Sequence, residues 1–234
     1  MDFVALPKIE LHAHLTGSVS RRTLHEIWLR KKASGETDLE DPLEVMPEDK
    51  HDYNLETFFP LFSSYIYALL TDEASIRYAT TSVLDDFLAD GVVYLELRTT
   101  PRATGALSAE AYVRVLLETM ADFEAAHGDA MRARLILSVD RRHSPETAVA
   151  IAGMVKGGFE GHHFGHWLGV DGPRISLATD DVGVFGSSLS NEYRLVAQHF
   201  DLDRSRICDL ARQAIDSIFG GEEEKVRLRE IMWT

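Results

Sequence analysis

The sequence predicts a parallel α/β fold, because short apolar runs with strand character alternate along the chain with longer helical segments. Strand candidates stand at residues 8–15, 92–98, 134–139 and 175–178. The second of them, VVYLELR, is almost continuously apolar, which is typical of a parallel strand covered on both faces. A closed (β/α)8 barrel needs eight strands, so these candidates account for about half of one.

Helix signals fill the segments between these strand candidates. Asp72 and Ser108 are N-cap residues that predict helices over 72–90 and 109–126, and Gly91 ends the first of them. Further helices are expected over 21–32, 55–70, 144–155 and much of 189–232. The alternation of strand and helix breaks only at the glycine-rich residues 157–161.

The composition limits the class of protein. A chain of 234 residues with 45% hydrophobic residues can fill the core of one domain, so we expect a single domain over 1–234. The formal net charge of −14 argues against sequence-independent nucleic-acid binding, which needs a basic surface. A small anionic substrate is still compatible with this charge, because one local pocket can oppose the overall sign.

Cysteine usage and the N-terminal residues bear on the compartment. Cys208 is the single cysteine, which excludes an intramolecular disulfide and favours a reducing compartment. Residues 1–7 have neither a basic region nor a long apolar region, and no stretch is long enough to span a membrane. We therefore expect a soluble cytoplasmic protein that binds no membrane.

His12 and His14 are the strongest candidates for chemistry. Residues i and i+2 of a strand point to the same face, so both imidazoles can reach one metal ion. They stand near the carboxyl end of the first strand, where α/β barrels place their active sites. Two satisfied histidines beside a turn are the alternative, because zinc needs three or four ligands.

The triplet Thr179–Asp180–Asp181 follows the fourth strand candidate. One carboxylate can ligate a metal ion, and its neighbour can bind substrate or orient a water molecule. A turn or helix cap, for which aspartate is a favoured residue, is the alternative. Because the triplet falls at the same end of a parallel sheet as the two histidines, the sequence favours metal binding.

Spacing excludes several other catalytic signatures. His25 and Glu26 begin an H-E-x-x-H pattern, but Leu29 stands at its last position. The P-C-x-x-C type of zinc site needs two cysteines, and this chain has one. No Walker A or G-x-S-x-G pattern occurs.

Segments along the chain together resemble one known family. LPKIELHAHLTGS (6–18) and ISLATDDVGVFGSSLSNEY (175–193) are similar to the first strand, and to the last strand with its following loop, of the adenosine deaminase family. YLELRTTPR (94–102) and LILSVDRR (135–142) resemble the branch of that family that acts on N6-methyl-AMP and related purine nucleotides. The resemblance extends over residues 4–156 and 162–232.

The resemblance implies a metal-dependent hydrolase on a (β/α)8 TIM barrel, incomplete here, with one Zn²⁺ ion as cofactor. The implied reaction hydrolyses the 6-amino or 6-methylamino group of adenosine, AMP or N6-methyl-AMP to give inosine or IMP. The implied partner is that small purine molecule, bound by a monomer. The implied zinc ligands are His12, His14 and Asp180. The implied substrate-binding residues are His14, Thr16, Thr99, Thr100, Pro101, Arg102, Asp140 and Asp181.

Thr16 bears on the choice between a nucleoside and a nucleotide substrate. The nucleoside-specific branch of the family has an aspartate at this position, and its carboxylate would repel a 5′-phosphate. A threonine hydroxyl can instead donate a hydrogen bond to the phosphate, and Arg102 can pair with it through a charge-assisted fork. These residues favour a monophosphate, with a simple turn residue before Gly17 as the alternative for Thr16.

The middle of the family pattern has no counterpart in this sequence. Near residues 156–162 the chain passes through a short glycine-rich stretch where the family has four βα units. Those units supply a further histidine ligand and the glutamate that protonates the purine, so no catalytic acid is identifiable and we expect impaired activity. One alternative hypothesis is a non-catalytic remnant that binds a metal ion, a nucleotide or a partner chain. Another is a different metal-dependent hydrolase on the same barrel.

Overall fold

The computed structural model of the chain describes residues 1–47, 60–128, 130–139, 146 and 176–232. Parallel strands form one sheet in the order β1 (Lys8–His14), β2 (Val92–Thr99) and β3 (Arg132–Leu137). Helices lie in the long connections from β1 to β2 and from β2 to β3, as parallel pairing requires. The predicted parallel α/β class is confirmed, and each of these strands overlaps its predicted range with ends shifted by at most two residues.

The helices follow the strands in chain order. Those before β2 are α1 (Leu15–Ser18), α2 (Arg21–Ala33), α3 (Pro42–Val45), α4 (Tyr67–Leu69) and α5 (Glu73–Ala89), with a π-helical turn at Phe62–Ile66. Those after β2 are α6 (Ala109–His127), α7 (Val182–Phe185), α8 (Leu189–His199), α9 (Arg204–Gln213) and α10 (Gly221–Ile231), with a 3₁₀ turn at Ala214–Ser217. In the described part of the chain, none of these helices has the length and apolar character needed to cross a bilayer.

The predicted starts of α5 and α6 are confirmed by their caps. The Asp72 carboxylate accepts a hydrogen bond from Ser75 N at 2.8 Å, and Ser108 Oγ accepts one from Ala111 N at 3.2 Å. Gly91, with φ 80°, follows α5 in the left-handed conformation that glycine adopts readily. Of the predicted helices over 55–70 and 144–155, only residues 60–70 and Glu146 lie among the described residues.

The fourth predicted strand, 175–178, is wrong over residues 176–178, and residue 175 lies outside the described residues. Residues 176–179 form no strand, and the segment meets β1 through one parallel bridge between Ala13 and Asp180. Thr179 N donates to the Glu10 carboxylate at 2.9 Å instead of to the backbone of β1, so the pairing with β1 does not extend back from Asp180. The segment still lies beside β1, on the edge opposite β2.

The hydrophobic core lies between the sheet and the helices that cover it. Leu95 and Leu97 of β2 are 0% exposed, and α5 packs against β2 while α6 packs against β3 and α5. Side chains alternate along a strand, so Glu96 and Arg98 point to the other face of β2. There they line a cavity together with His12. The sheet therefore has one apolar face for packing and one polar face that carries the candidate site.

Candidate metal centre

A cluster of side chains with metal-binding chemistry gathers at the carboxyl end of β1. His12 Nε2 lies 3.5 Å and His14 Nε2 lies 3.3 Å from Asp180 Oδ1, and the candidate ligand atoms all fall within 4.8 Å of one another. Within the described ranges, this is the one group of three or more histidine, cysteine or acidic side chains with such spacing. The side chains are 41% to 57% exposed, so small molecules can reach them.

Two backbone hydrogen bonds bring these residues together. Asp180 N donates to His12 O at 2.9 Å, and His14 N donates to Asp180 O at 2.8 Å. The imidazole rings of His12 and His14 have centroids 5.4 Å apart, as expected for residues i and i+2 of one strand. The bridge thus places the Asp180 carboxylate next to both rings.

The electrostatic surroundings favour neutral imidazoles. Desolvation by burial is the largest cause of a lowered pKa for both His12 and His14, below the ordinary value of 6.5. The Arg98 guanidinium lowers the pKa of both further, whereas the Asp180 carboxylate acts in the opposite direction. A neutral imidazole is the form that ligates a metal ion, so the site is prepared for ligation at neutral pH.

Asp181 lies buried beside the cluster. Its carboxyl group packs so closely on Gly17 that a Cβ atom there would lie 1.6 Å from Asp181 Oδ1. Burial, followed by the negative charge of Asp180, raises the pKa of Asp181 to about 7. Asp181 Oδ1 has no hydrogen-bond partner among the described residues. A buried polar atom of this kind is rare in folded proteins and can be satisfied by a ligand.

A cavity of about 550 Å³ opens next to the cluster, lined by His12, Asp180, Glu96, Arg98 and Phe219 among others. Glu96 is 2% exposed, and its Oε1 accepts hydrogen bonds from Phe219 N at 2.6 Å and from a tyrosine hydroxyl of the same strand at 2.9 Å. Burial raises the pKa of Glu96 to about 7. The cavity is wide enough for a small organic molecule and has charged groups of both signs on its wall.

The other predicted substrate-binding residues lie at the ends of β1 and β2. Thr16 is 9% exposed on α1, and Thr99 Oγ1 lies 2.8 Å from the Tyr112 hydroxyl in a buried contact. Arg102 donates to Leu70 O at 2.9 Å, and its guanidinium lies over the ring of Tyr112 at 5.5 Å. The structure therefore brings Thr99 and Arg102 together around Tyr112.

Three further predicted residues complete this set. Pro101 is buried and Thr100 is half-buried in the segment that follows β2. Asp140 lies outside the described residues. Of the residues singled out from the sequence, the structure thus gathers the candidate metal ligands and Asp181 in one place and the Thr99–Arg102 segment at the end of the neighbouring strand.

The sequence-based prediction missed three charged residues that lie near the site. They are Glu10, Glu96 and Arg98, which stand inside the apolar runs of β1 and β2. Because a charged side chain is almost never fully buried without a partner, a charge inside an apolar strand is a usable signal. The identity of the partner, however, cannot be read from one strand alone.

A parallel sheet whose first strand ends in a His-x-His pair, with an aspartate bridged to that strand, defines a class of protein. The fold is the (β/α)8 TIM barrel of metal-dependent hydrolases, and the described residues form three of its strands. The adenosine deaminase family model matches residues 7–160 and 167–233, and the chain therefore belongs to the adenosine deaminase family of hydrolytic deaminases.

Individual relatives support this assignment. The N6-methyl-AMP deaminase-L of Xenopus laevis is 27% identical over 329 aligned positions, which cover 96% of this chain and 92% of the relative. Because 329 positions exceed the 234 residues of this chain, the alignment contains long gaps on its side. A crystal structure of Arabidopsis ADAL complexed with GMP is 25% identical with a TM-score of 0.79, covering 98% of this chain and 97% of that one. A Burkholderia ambifaria amidohydrolase with bound Zn, 18% identical, covers 99% of this chain and 90% of its own with a TM-score of 0.77, and shares the fold.

Proposed function

We propose that this chain is a zinc-dependent purine deaminase that hydrolyses the 6-amino or 6-methylamino group of a purine 5′-monophosphate to give IMP, with adenosine as the nucleoside alternative. The observation that carries the proposal is the convergence of His12, His14 and Asp180. The choice of a nucleotide rests on the relatives, since one is named for N6-methyl-AMP and a solved structure holds GMP.

The donor set fits one zinc ion. Two imidazole nitrogens and a carboxylate oxygen are ligand types that zinc takes, and catalytic zinc sites have three protein ligands and an open position. The lowered pKa of His12 and of His14 keeps both imidazoles in the ligating form near pH 7. When bound, zinc supplies Lewis acidity and lowers the pKa of a water molecule.

The protein's own residues are proposed to bind and orient the purine. Protonated Asp181 would donate a hydrogen bond from its buried Oδ1, which has no partner among the described residues, to an unprotonated ring nitrogen. Gly17 leaves the space that this carboxyl group occupies. His14, next to Asp180, is proposed to contact the substrate as well as the metal ion.

The phosphate is proposed to bind at the carboxyl ends of β1 and β2. Thr16 would donate its hydroxyl, and Arg102 would pair with the phosphate oxygens. Arg102 uses one terminal nitrogen on Leu70 O, and its Nε has no partner among the described residues, so donors are available. Thr99, Thr100, Pro101 and Asp140 complete the proposed nucleotide pocket.

We propose that turnover by this chain is slow. The sequence has no counterpart of the family glutamate that protonates the purine ring. General acid catalysis contributes about 10²–10⁴-fold to the rate, so its loss lowers kcat by that order. The nucleotide can still bind, because the residues assigned to it are present.

We also propose that the slow turnover arises from βα units absent near residues 156–162. Two observations support this, the break in the family match between 160 and 167 and an alignment longer than the chain. Sequencing the native transcript across codons 150–165 tests it. A longer transcript that encodes the His–Glu strand would mean that this chain is a shortened form, and a transcript that joins the codons as written would mean that the short protein is the gene product.

Deaminase activity is tested on the purified full chain loaded with Zn²⁺. We expect IMP from N6-methyl-AMP or AMP at a rate that falls to background in the His12→Ala variant, because one ligand is lost. Chromatographic detection of IMP measures the rate, and circular dichroism verifies that both proteins are folded. A matched control is His199→Ala, an exposed histidine at the end of α8.

Each other outcome contradicts the proposal in its own way. A folded, zinc-loaded wild type without turnover would remove the deaminase function and leave the non-catalytic remnant, which GMP binding by calorimetry would support. Turnover of an amide or ester with none on purines would support another hydrolase on the same barrel. We further propose that the protein is cytoplasmic and monomeric. Light scattering after gel filtration measures its molar mass in solution and so tests the oligomeric state.

A further inference from the structure

Glu10 makes an unusual pair of contacts beside the candidate metal ligands. The residue is 0% exposed, its Oε1 accepts a hydrogen bond from His12 N at 2.8 Å, and its Oε2 accepts one from Thr179 N at 2.9 Å. His12 is itself a candidate ligand, and Thr179 directly precedes the candidate ligand Asp180. One carboxylate therefore joins both ligand-bearing segments.

We propose that Glu10 is a positioning residue, which aims His12 and Asp180 at one point by tying β1 to the segment that carries Asp180. The proposal rests on the metal site of the proposed function. Glu10 itself is not a ligand in this proposal, because both of its oxygens are engaged with backbone N–H groups. Its effect reaches the metal ion only through the backbone of the two ligands.

An irregularity in the sheet explains why a side chain is needed here. The register between β1 and β2 shifts between Glu10 and Ala13, where β1 contains an extra residue. Such a bulge interrupts the ladder of backbone hydrogen bonds, and His12 N donates to the Glu10 carboxylate. The side chain thereby supplies the acceptor that the interrupted ladder denies to this partly buried backbone donor.

The other side of β1 is also weakly joined. The segment 176–180 meets β1 through the single bridge at Ala13–Asp180, and Asp180 has a left-handed backbone. A non-glycine residue keeps this conformation only when its surroundings hold it in place. The contact from Glu10 to Thr179 N adds a link one residue before Asp180, which restrains both its backbone and the direction of its carboxylate.

The Glu10→Gln variant removes one of the two hydrogen bonds that the Glu10 carboxylate accepts. A glutamine amide has one acceptor oxygen, and its NH₂ group cannot accept from a backbone N–H, so either His12 N or Thr179 N loses its partner. Outer groups that orient ligands commonly change metal affinity by about 10–100-fold when they are mutated. We expect a loss of Co²⁺ affinity in this range.

The test uses the full chain with Co²⁺ in place of zinc, because its visible absorption reports ligand geometry. Chelator competition measures the Kd, and thermal unfolding measures stability. The matched control is Glu224→Gln, which changes an equally buried carboxylate that contacts Arg132 and Arg227, away from the ligands. Only Glu10→Gln is expected to weaken Co²⁺ binding and alter the spectrum, and the Tm of each variant verifies that it is folded at the temperature of the assay.

The possible results separate the two proposals. A wild type that binds no Co²⁺ would overturn the metal site and the role of Glu10 with it. A wild type that binds Co²⁺, with the same Kd and spectrum in Glu10→Gln, would overturn the role of Glu10 alone. Equal weakening in Glu224→Gln would also overturn it, since the effect would then be general loosening. If Glu10→Gln does not fold, Glu10→Asp and Glu224→Asp replace the pair, and an unchanged Kd in Glu10→Asp would overturn the proposal.

Discussion

Asp180 combines an uncommon backbone conformation with the proposed role of a metal ligand. Its φ of 60° lies in the left-handed region, where aspartate is one of the tolerated residues, at a cost of about 1–3 kcal/mol. The two backbone hydrogen bonds to β1 hold that conformation in place. At the scale of single residues, the geometry of the site therefore depends on the close approach of the Asp180 backbone to the backbone of β1.

Gly17 shows the same dependence on close approach. A Cβ atom at this position would lie 1.6 Å from Asp181 Oδ1 and 2.4 Å from its Cγ, so Gly17→Ala must displace the Asp181 carboxyl group. We expect a loss of about 1–3 kcal/mol in the free energy of unfolding, the usual cost of overpacking, and weaker binding of GMP. Chemical denaturation and calorimetry measure the two effects.

Gly105→Ala is the control for this prediction. Gly105 is exposed, and a Cβ atom there would have nothing within 4 Å. Its stability and GMP affinity should match those of the wild type. A Gly17→Ala protein that is as stable as Gly105→Ala would show that Asp181 can move without cost.

At the scale of elements, a partly buried ion cluster joins α10 to the sheet. Glu224 of α10 is 2% exposed, and it accepts hydrogen bonds from Arg132 of β3 at 2.8 Å and from Arg227 Nε at 2.9 Å. Arg227 also donates to Val93 O of β2 at 3.1 Å. The last helix is thus tied to two neighbouring strands.

Removal of the Glu224 charge should loosen this attachment. In Glu224→Gln the two arginines lose their shared carboxylate while they remain partly buried, and broken ion pairs of this kind cost about 3 kcal/mol. Urea unfolding checks the loss. Glu223→Gln changes an exposed residue one position earlier and should cost about 0.5 kcal/mol or less. Equal stability of the two variants would contradict a structural role for the cluster.

For the whole molecule, the buried charges on the polar face of the sheet couple stability to pH. Desolvation is the largest cause of the raised pKa of Glu96, and the hydrogen bonds from Phe219 N and Tyr94, together with Arg98 and Arg134, partly oppose it. The pKa is about 7 in the folded protein against an ordinary value of 4.5. The stability contributed by this group is therefore fully present below about pH 4.5 and is lost as the pH rises through about 7.

Glu96→Gln should remove this pH dependence. The glutamine oxygen can still accept from Phe219 N and the Tyr94 hydroxyl, but the side chain no longer ionises. We expect the variant to be more stable than the wild type by about 2–3 kcal/mol at pH 8, with little difference at pH 4.5. Thermal unfolding across this range measures it, and a constant difference at all pH values would rule out ionisation of Glu96 as the cause.

Local signals in the chain were sufficient for most of the fold and part of the site. The caps Asp72 and Ser108 and the apolar run in β2 predicted their elements, because each depends on neighbouring residues only. The His12–His14 pair was visible for the same reason, since the period of a strand places both on one face. The strand prediction failed over residues 176–178, because Thr179 N donates to the Glu10 carboxylate instead of to the backbone of β1, and hydrophobic pattern does not encode such a contact.

The sequence by itself determined the parallel α/β class, the family resemblance and the residue types that can ligate zinc. Only the tertiary structure decided that Asp180 lies within reach of both histidines, that Glu10 joins their two segments, and that Gly17 packs on Asp181. The physical reason is distance along the chain. Periodicity and capping act over a few residues, whereas these contacts join residues more than 160 positions apart, and their geometry is set by sheet register and close packing.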